Sequence, residues 1–132
     1  MKYFIVLVLT LTMTFSCKKE SVIIYTFSES LIGKWELREA VDRINYQDEE
    51  WHDVREPYLS MNFAADSSFV RAWDCTNLFT SGTYEVSNQD SLIKISDPGT
   101  RTIKPLEYNG RSFIHEFLTD EGTVKHKYFK VE

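Results

Sequence analysis

Arg71 stands between two aromatic residues, Phe69 and Trp73, at alternate positions of a β-rich run. In a strand those three side chains share one face. Turned inward, the guanidinium would be a buried cation able to grip a carboxylate through two parallel hydrogen bonds. Fatty acids would then be suitable ligands, because a buried charge left unpaired is costly. Turned outward, Arg71 would be solvated on an exposed face, with Val70 and Ala72 in the core. Alternation alone allows both.

His115 and His126 form a second constellation. If Asp120-Glu121 is a two-residue loop, Phe113, His115 and Phe117 lie opposite Tyr128, His126 and Val124. Glu116 then faces Lys125 on the other side, where solvent suits both. A bulge at Gly122 would slip the register by one and part the histidines. The first register sorts apolar from charged residues more cleanly. It brings the two imidazoles together at roughly 5 Å between Cβ atoms. Catalytic zinc needs a third protein ligand, and no spaced His-Glu motif supplies one. A hydrogen-bonded pair is expected, with no metal.

The third group is acidic: Gln47-Asp48-Glu49-Glu50-Trp51-His52-Asp53, in a long connection between two β-rich runs. It lacks the alternating ligands and glycine of an EF-hand loop. The expectation is a solvated loop with Trp51 packed over the mouth of the fold, where a protein partner could also touch. Paired carboxylates acting on glycosides need a set separation and one raised pKa, which an exposed loop seldom provides. No Gly-x-Ser-x-Gly, phosphate loop or dinucleotide fingerprint occurs. The reading is non-enzymatic and free of cofactors.

Chain-wide properties narrow the partners. Twenty acidic against 15 basic residues give a net charge of -5, unlike the basic stripe that displaces counterions from nucleic acid. A hydrophobic content of 42% with 14% aromatic residues disfavours disorder. A chain of 132 residues suits a single core.

The N-terminus is of another kind. After Lys2, residues 3–16 are apolar or hydroxylated. As a helix they would span about 21 Å, short of the roughly 30 Å hydrocarbon core. Such a run is a secretory signal. Thr14-Phe15-Ser16-Cys17-Lys18-Lys19-Glu20 resembles a bacterial lipoprotein lipobox, with Thr14 and Phe15 where Leu and a small residue are preferred. That resemblance implies cleavage after Ser16 and acylation of Cys17 as a membrane anchor. Ordinary cleavage would instead leave Cys17 a free thiol. Multiple acyl chains anchor stably where one is marginal. Signal removal takes Lys2 with it and makes the chain one unit more negative. Cys75 is expected to be a buried reduced thiol. Residues 22–27 are too apolar for a free linker; they suit an edge strand or the membrane surface.

The elements that must position these groups are strands. Turn signals follow Gly33 at Ala65-Asp66-Ser67-Ser68, residues 77–82, Asn88-Gln89-Asp90, Asp97-Pro98-Gly99, Asn109-Gly110 and Asp120-Glu121-Gly122. Their spacing of about 8–12 residues suggests an antiparallel sandwich or barrel. Eight β-rich runs lie between them: around residues 35–41, 59–63, 69–75, 80–86, 91–95, 100–108, 111–118 and 123–131. Asn109-Gly110 suits a type I′ hairpin turn that would set Leu106 opposite Phe113. Ser28-Glu29-Ser30-Leu31 reads as one helical turn, with serine as its cap.

These runs carry a resemblance. Leu31-Ile32-Gly33-Lys34-Trp35-Glu36-Leu37 resembles the Gly-x-Trp opening strand of lipocalins and of small bacterial lipocalin-like lipoprotein domains. Met61-Asn62-Phe63-Ala64-Ala65-Asp66-Ser67-Ser68-Phe69 is similar to their second hairpin. Gly82-Thr83-Tyr84-Glu85-Val86 with Leu92-Ile93-Lys94-Ile95 resembles the middle one. Tyr128-Phe129-Lys130-Val131 is similar to the closing strand, whose basic residue covers the tryptophan; Lys130 stands where Arg is usual.

The resemblance implies an all-β fold: an eight-stranded antiparallel up-and-down barrel, closed or half-open, after a signal peptide. Residues 1–16 would be the signal, 17–30 a lipidated tether and 31–132 the barrel. The implied function is binding of a small hydrophobic ligand at the bacterial cell envelope, anchored through Cys17 at the outer membrane. The candidate ligand wall is Phe63, Phe69, Arg71, Trp73, Tyr84, Phe113, His115, Phe117, His126 and Tyr128. Trp35 would plug the barrel end. The alternative is a side-chain-filled barrel whose loop around Trp51 contacts a protein.

Overall fold

The structure, a computed structural model, describes residues 25–42, 50–55, 58–74 and 76–131. The segment expected to be a signal peptide, Cys17, the first part of the expected tether, residues 43–49 of the acidic connection and Cys75 lie outside the described residues.

Alternation of apolar and polar side chains makes strands of nearly every run. They are β1 (Gly33–Asp42), β2 (His52–Asp53), β3 (Ser60–Phe63), β4 (Ser68–Trp73) and β5 (Leu78–Ser87), then β6 (Leu92–Ser96), β7 (Thr100–Ile103), β8 (Ser112–Thr119) and β9 (Gly122–Val131). One helical turn, α1 (Phe27–Leu31), precedes them. In β6, Ile93 and Ile95 are buried while Lys94 and Ser96 face solvent. All pairings are antiparallel, in the order β7-β6-β5-β4-β3-β1-β9-β8, and short β2 flanks β1. The chain thus forms a nearly closed eight-strand up-and-down barrel of the lipocalin-like kind. The segment after β7 meets β8 through an isolated bridge, Leu106 to Ile114.

The last hairpin has the expected register. Phe113 faces Tyr128, His115 faces His126, and Phe117 faces Val124, with Asp120 and Glu121 as the loop. Glu116 and Lys125 pair at 3.5 Å on the other face. The hairpin before it differs. Leu106 lies opposite Ile114 rather than Phe113. The turn is built on Gly110 and Arg111, because the Asn109 side chain accepts from the Arg111 and Ser112 amides at 2.9 and 2.8 Å. An Asx turn of this kind moves the reversal one residue on. β7 also stops at Ile103, well short of residue 108; Pro105 has no amide proton to continue a ladder. The cap of α1 is Thr26, not a serine. Thr26 and Glu29 form a reciprocal capping box, which satisfies two amides that a short helix otherwise leaves open.

The closed end of the barrel is solid. Trp35 is fully buried, its indole 5.0 Å from the ring of Phe113. Phe63 packs on Phe69 at 5.0 Å and on Tyr84 at 5.1 Å. α1 lies beneath them as a floor, tied by Ser28 N donating to Asn88 Oδ1 at 2.9 Å. Trp35 Nε1 donates to the Leu31 carbonyl at 2.7 Å. Lys130 Nζ lies 5.7 Å from the Trp35 ring and donates to the Ser30 carbonyl at 2.8 Å. The lysine stem crosses Gly33 so closely that a Cβ there would come 2.8 Å from Lys130 Cε. Glycine opens the first strand because its φ is +134° and the stem needs the space.

An aromatic side chain buried this fully contributes about 4–6 kcal/mol from area alone. Trp35→Ala is therefore expected to lower unfolding free energy by about 3–5 kcal/mol in chemical denaturation. A loss under about 1 kcal/mol would contradict the plug.

Candidate functional site

Above the plug the interior opens. A cavity of about 430 Å³ is walled by Leu59 and Met61 beside β3 and in it, Arg71 and Trp73 of β4, Arg101, Thr102 and Ile103 of β7, His115 and Phe117 of β8, and His126 and Tyr128 of β9. Thr102 alternates with Arg101 and Ile103, so its side chain lies on the other face of β7. Its place in the wall carries the cavity out to the β7 edge, where no ladder joins β7 to β8 among the described residues. Entry can thus be from the mouth or from this side.

Gly82 shapes the site. It lies opposite Phe69 on the inward face of β5. A Cβ there would stand 1.8 Å from the Ser96 carbonyl oxygen and 2.9 Å from Asp97 Cα. Without a side chain at 82, the end of β6 bends across β5, and its turn carries Asp97 inward. The Asp97 side chain is 1% exposed. A carboxylate so buried must be paired. Arg101 makes a close ion pair with Asp97 Oδ1, and Thr80 Oγ1 donates to Oδ2 at 2.7 Å. Arg71 Nη2 stands 3.5 Å from the same Oδ2. The Arg71 guanidinium lies over the Trp73 ring at 4.5 Å, a cation–π contact that holds its plane.

This cluster sets the protonation states. Burial and the Arg101 charge lower the Arg71 pKa, with Asp97 opposing them; the side chain remains a cation, as arginine does in proteins. The His115 pKa falls from 6.5 to about 4, chiefly by burial, with His126, Arg101 and Arg71 adding repulsion. Burial also pushes the Tyr128 hydroxyl well above its usual range. His115 is therefore neutral at neutral pH.

Six of the ten candidate ligand residues come together here: Arg71, Trp73, His115, Phe117, His126 and Tyr128. Arg71 faces inward. Phe63, Phe69, Tyr84 and Phe113 pack lower, in the plug, where Tyr84 also donates to the Ala64 carbonyl at 2.7 Å. Among the described residues no three side chains of metal-ligand type converge. Trp51 does not cover the mouth. Its ring lies 5.8 Å from Lys127 Nζ on the outer face of β9, beside β2, which runs along β1. Main-chain pairing of His52 and Asp53 with β1 draws the loop against the wall.

Asp97, Arg101, Thr80 and Gly82 were not legible as site residues. Asp97 reads as a turn former before Pro98-Gly99, and Gly82 as a strand boundary. The available signal was Arg101 two residues before Ile103, a charge on a core-facing alternation. No protein-family model matches the chain, and no curated protein matches it in sequence.

Gly82→Ala should displace the Asp97 turn and cost about 1–3 kcal/mol. Its effect and that of Asp97→Ala should couple rather than add in a double-mutant cycle. Additivity within about 0.5 kcal/mol would refute the linkage. The His115 shift predicts acid sensitivity. The unfolded chain protonates His115 near pH 6.5 and the folded one near 4, so the unfolded state binds more protons in between. The stability from neutral His115 is complete above pH 6.5 and declines as pH falls to about 4, by on the order of 2–3 kcal/mol. His115→Gln should flatten that slope in denaturation measured across the window.

Proposed function

We propose that the protein is a lipid-anchored, lipocalin-like carrier of the bacterial cell envelope that holds one small hydrophobic molecule in its barrel, without catalysing a reaction. The observation that carries this reading is the cavity above an otherwise solid plug. Its volume of about 430 Å³ lies within the range of small-molecule sites, about 300–1,000 Å³. Eight strands leave room for packed side chains or for one small ligand, and here the two share the barrel end to end. The apolar members Leu59, Met61, Trp73, Ile103 and Phe117 supply burial, and the charged cluster supplies orientation.

The anchor would lie at the outer membrane. α1 and Tyr25 sit at the closed end, so a tether from Cys17 joins the barrel there. Residues 17–24 extend at most about 26–29 Å, less than the length of about 34 Å of a ten-residue strand such as β1. A barrel held this way turns its mouth from the leaflet that anchors it and exchanges ligand on the far side.

A protein-interaction role is favoured by one observation. Leu78 and Phe79 are 63% and 69% exposed, and Leu118 is 81% exposed, at the open end of β5 and β8. In that reading the apolar rim, rather than the loop around Trp51, receives the partner.

Native mass spectrometry of protein extracted from its own membrane is expected to show a one-to-one small-molecule adduct. Met61→Trp, which fills the cavity, should abolish it while the protein stays folded. Adduct-free protein would favour the interaction module. Separately, Cys17→Ser should free the protein from membranes and remove the acyl mass. Membrane recovery without any acyl group in the wild type would overturn the anchor.

A further inference from the structure

The charged cluster narrows the ligand, given that the cavity binds one. Among the ionisable groups around the cavity, Arg71 comes from β4, Arg101 from β7, His115 from β8, and His126 and Tyr128 from β9; Asp97 lies behind the two arginines. One carboxylate between two guanidinium groups leaves one positive charge. That charge sits mainly at Arg71. Arg101 and Thr80 take up the Asp97 oxygens at close range, whereas Arg71 is 3.5 Å away, beyond the usual 2.7–3.2 Å or so of an N–H···O bond. The Arg71 side chain is 22% exposed and lines the cavity, and the guanidinium fork matches a carboxylate with two parallel bonds.

We infer that the cavity is selective for a monocarboxylate amphiphile, its head paired with Arg71 beside Arg101 and its apolar body lying against Trp73, Phe117, Met61 and Ile103. Alternating arginine, aspartate, arginine and ligand carboxylate makes the interior neutral. A neutral ligand would leave the excess positive charge buried, and a phosphate dianion would reverse its sign; both are penalised in a low dielectric. The cavity is at the small end of ligand sites, so the body is a medium-length chain or a single ring system rather than a two-chain lipid. The field at His115 agrees in sign: both arginines repel a proton from it.

The inference rests on the ligand-binding reading, and its test separates the two. Delipidated mature protein carrying Cys17→Ser would be titrated calorimetrically with decanoate, decanol and decyl phosphate at neutral pH. Decanoate is expected to bind about tenfold or more tighter than decanol, the worth of a charge-assisted bond. Arg71→Gln should erase that preference while decanol binding persists, which shows that the variant is folded. Asp97→Asn leaves two unshared cations and should shift preference toward decyl phosphate. Equal binding of decanoate and decanol to the wild type would overturn the selectivity and leave the carrier reading standing. Tighter binding of decyl phosphate by the wild type would overturn the carboxylate head. Failure of all three to bind would count against the carrier reading itself.

Discussion

Asp97 carries a carboxylate almost wholly removed from water inside a barrel that is apolar below it. Such a charge persists when partners surround it, and the upper half of the interior is built from those partners. Arg101 and Thr80 contact its oxygens, and Arg71 is drawn inward over Trp73. Polar head groups in these positions cannot interdigitate as the phenylalanines do at the closed end. The space that they leave unfilled is the cavity. A single absent Cβ at Gly82 admits the whole arrangement, because it lets the turn after β6 cross the sheet.

The barrel divides its small interior along its axis. Trp35, Phe63, Phe69 and Phe113 are fully buried and account for much of the folding free energy. Their concentration at one end, with α1 and the Lys130 stem closing it, gives a rigid base. The other end can then tolerate buried charge at a cost that the base offsets. The solid plug and the cavity are therefore built from different layers of the same strands, one register step apart: Phe63 faces Phe69 below, and Met61 faces Arg71 above.

Much of this was legible from residue order. The closing hairpin could be registered by sorting apolar from charged side chains, since a slip of one residue would turn every side chain over. Gly33, Trp35 and Lys130 marked the closed end through the resemblance to lipocalins, and the structure joins them there, with Lys130 Nζ 5.7 Å from the Trp35 ring. Less legible was the Asn109 turn, where a side-chain acceptor competed with the backbone and displaced the reversal. The direction of Arg71 stayed open because both faces of its run carry apolar residues. It is decided by Asp97, twenty-six positions on, which as a sequence element looks like any turn-forming aspartate.

Alternation and turn chemistry are local properties, and by itself the sequence determined eight antiparallel strand candidates in a sandwich or barrel; the plugged barrel was what the family resemblance implied. Local patterns report which side chains share a face, but not which distant charge they will meet there. Whether a cavity exists, that six of the candidate residues line it and four fill the plug, and that a buried carboxylate shares two arginines were decided by the tertiary structure. The physical reason is that a barrel's free volume and the pairing of a buried charge are sums over all its strands, and neither is defined until the sheet has closed.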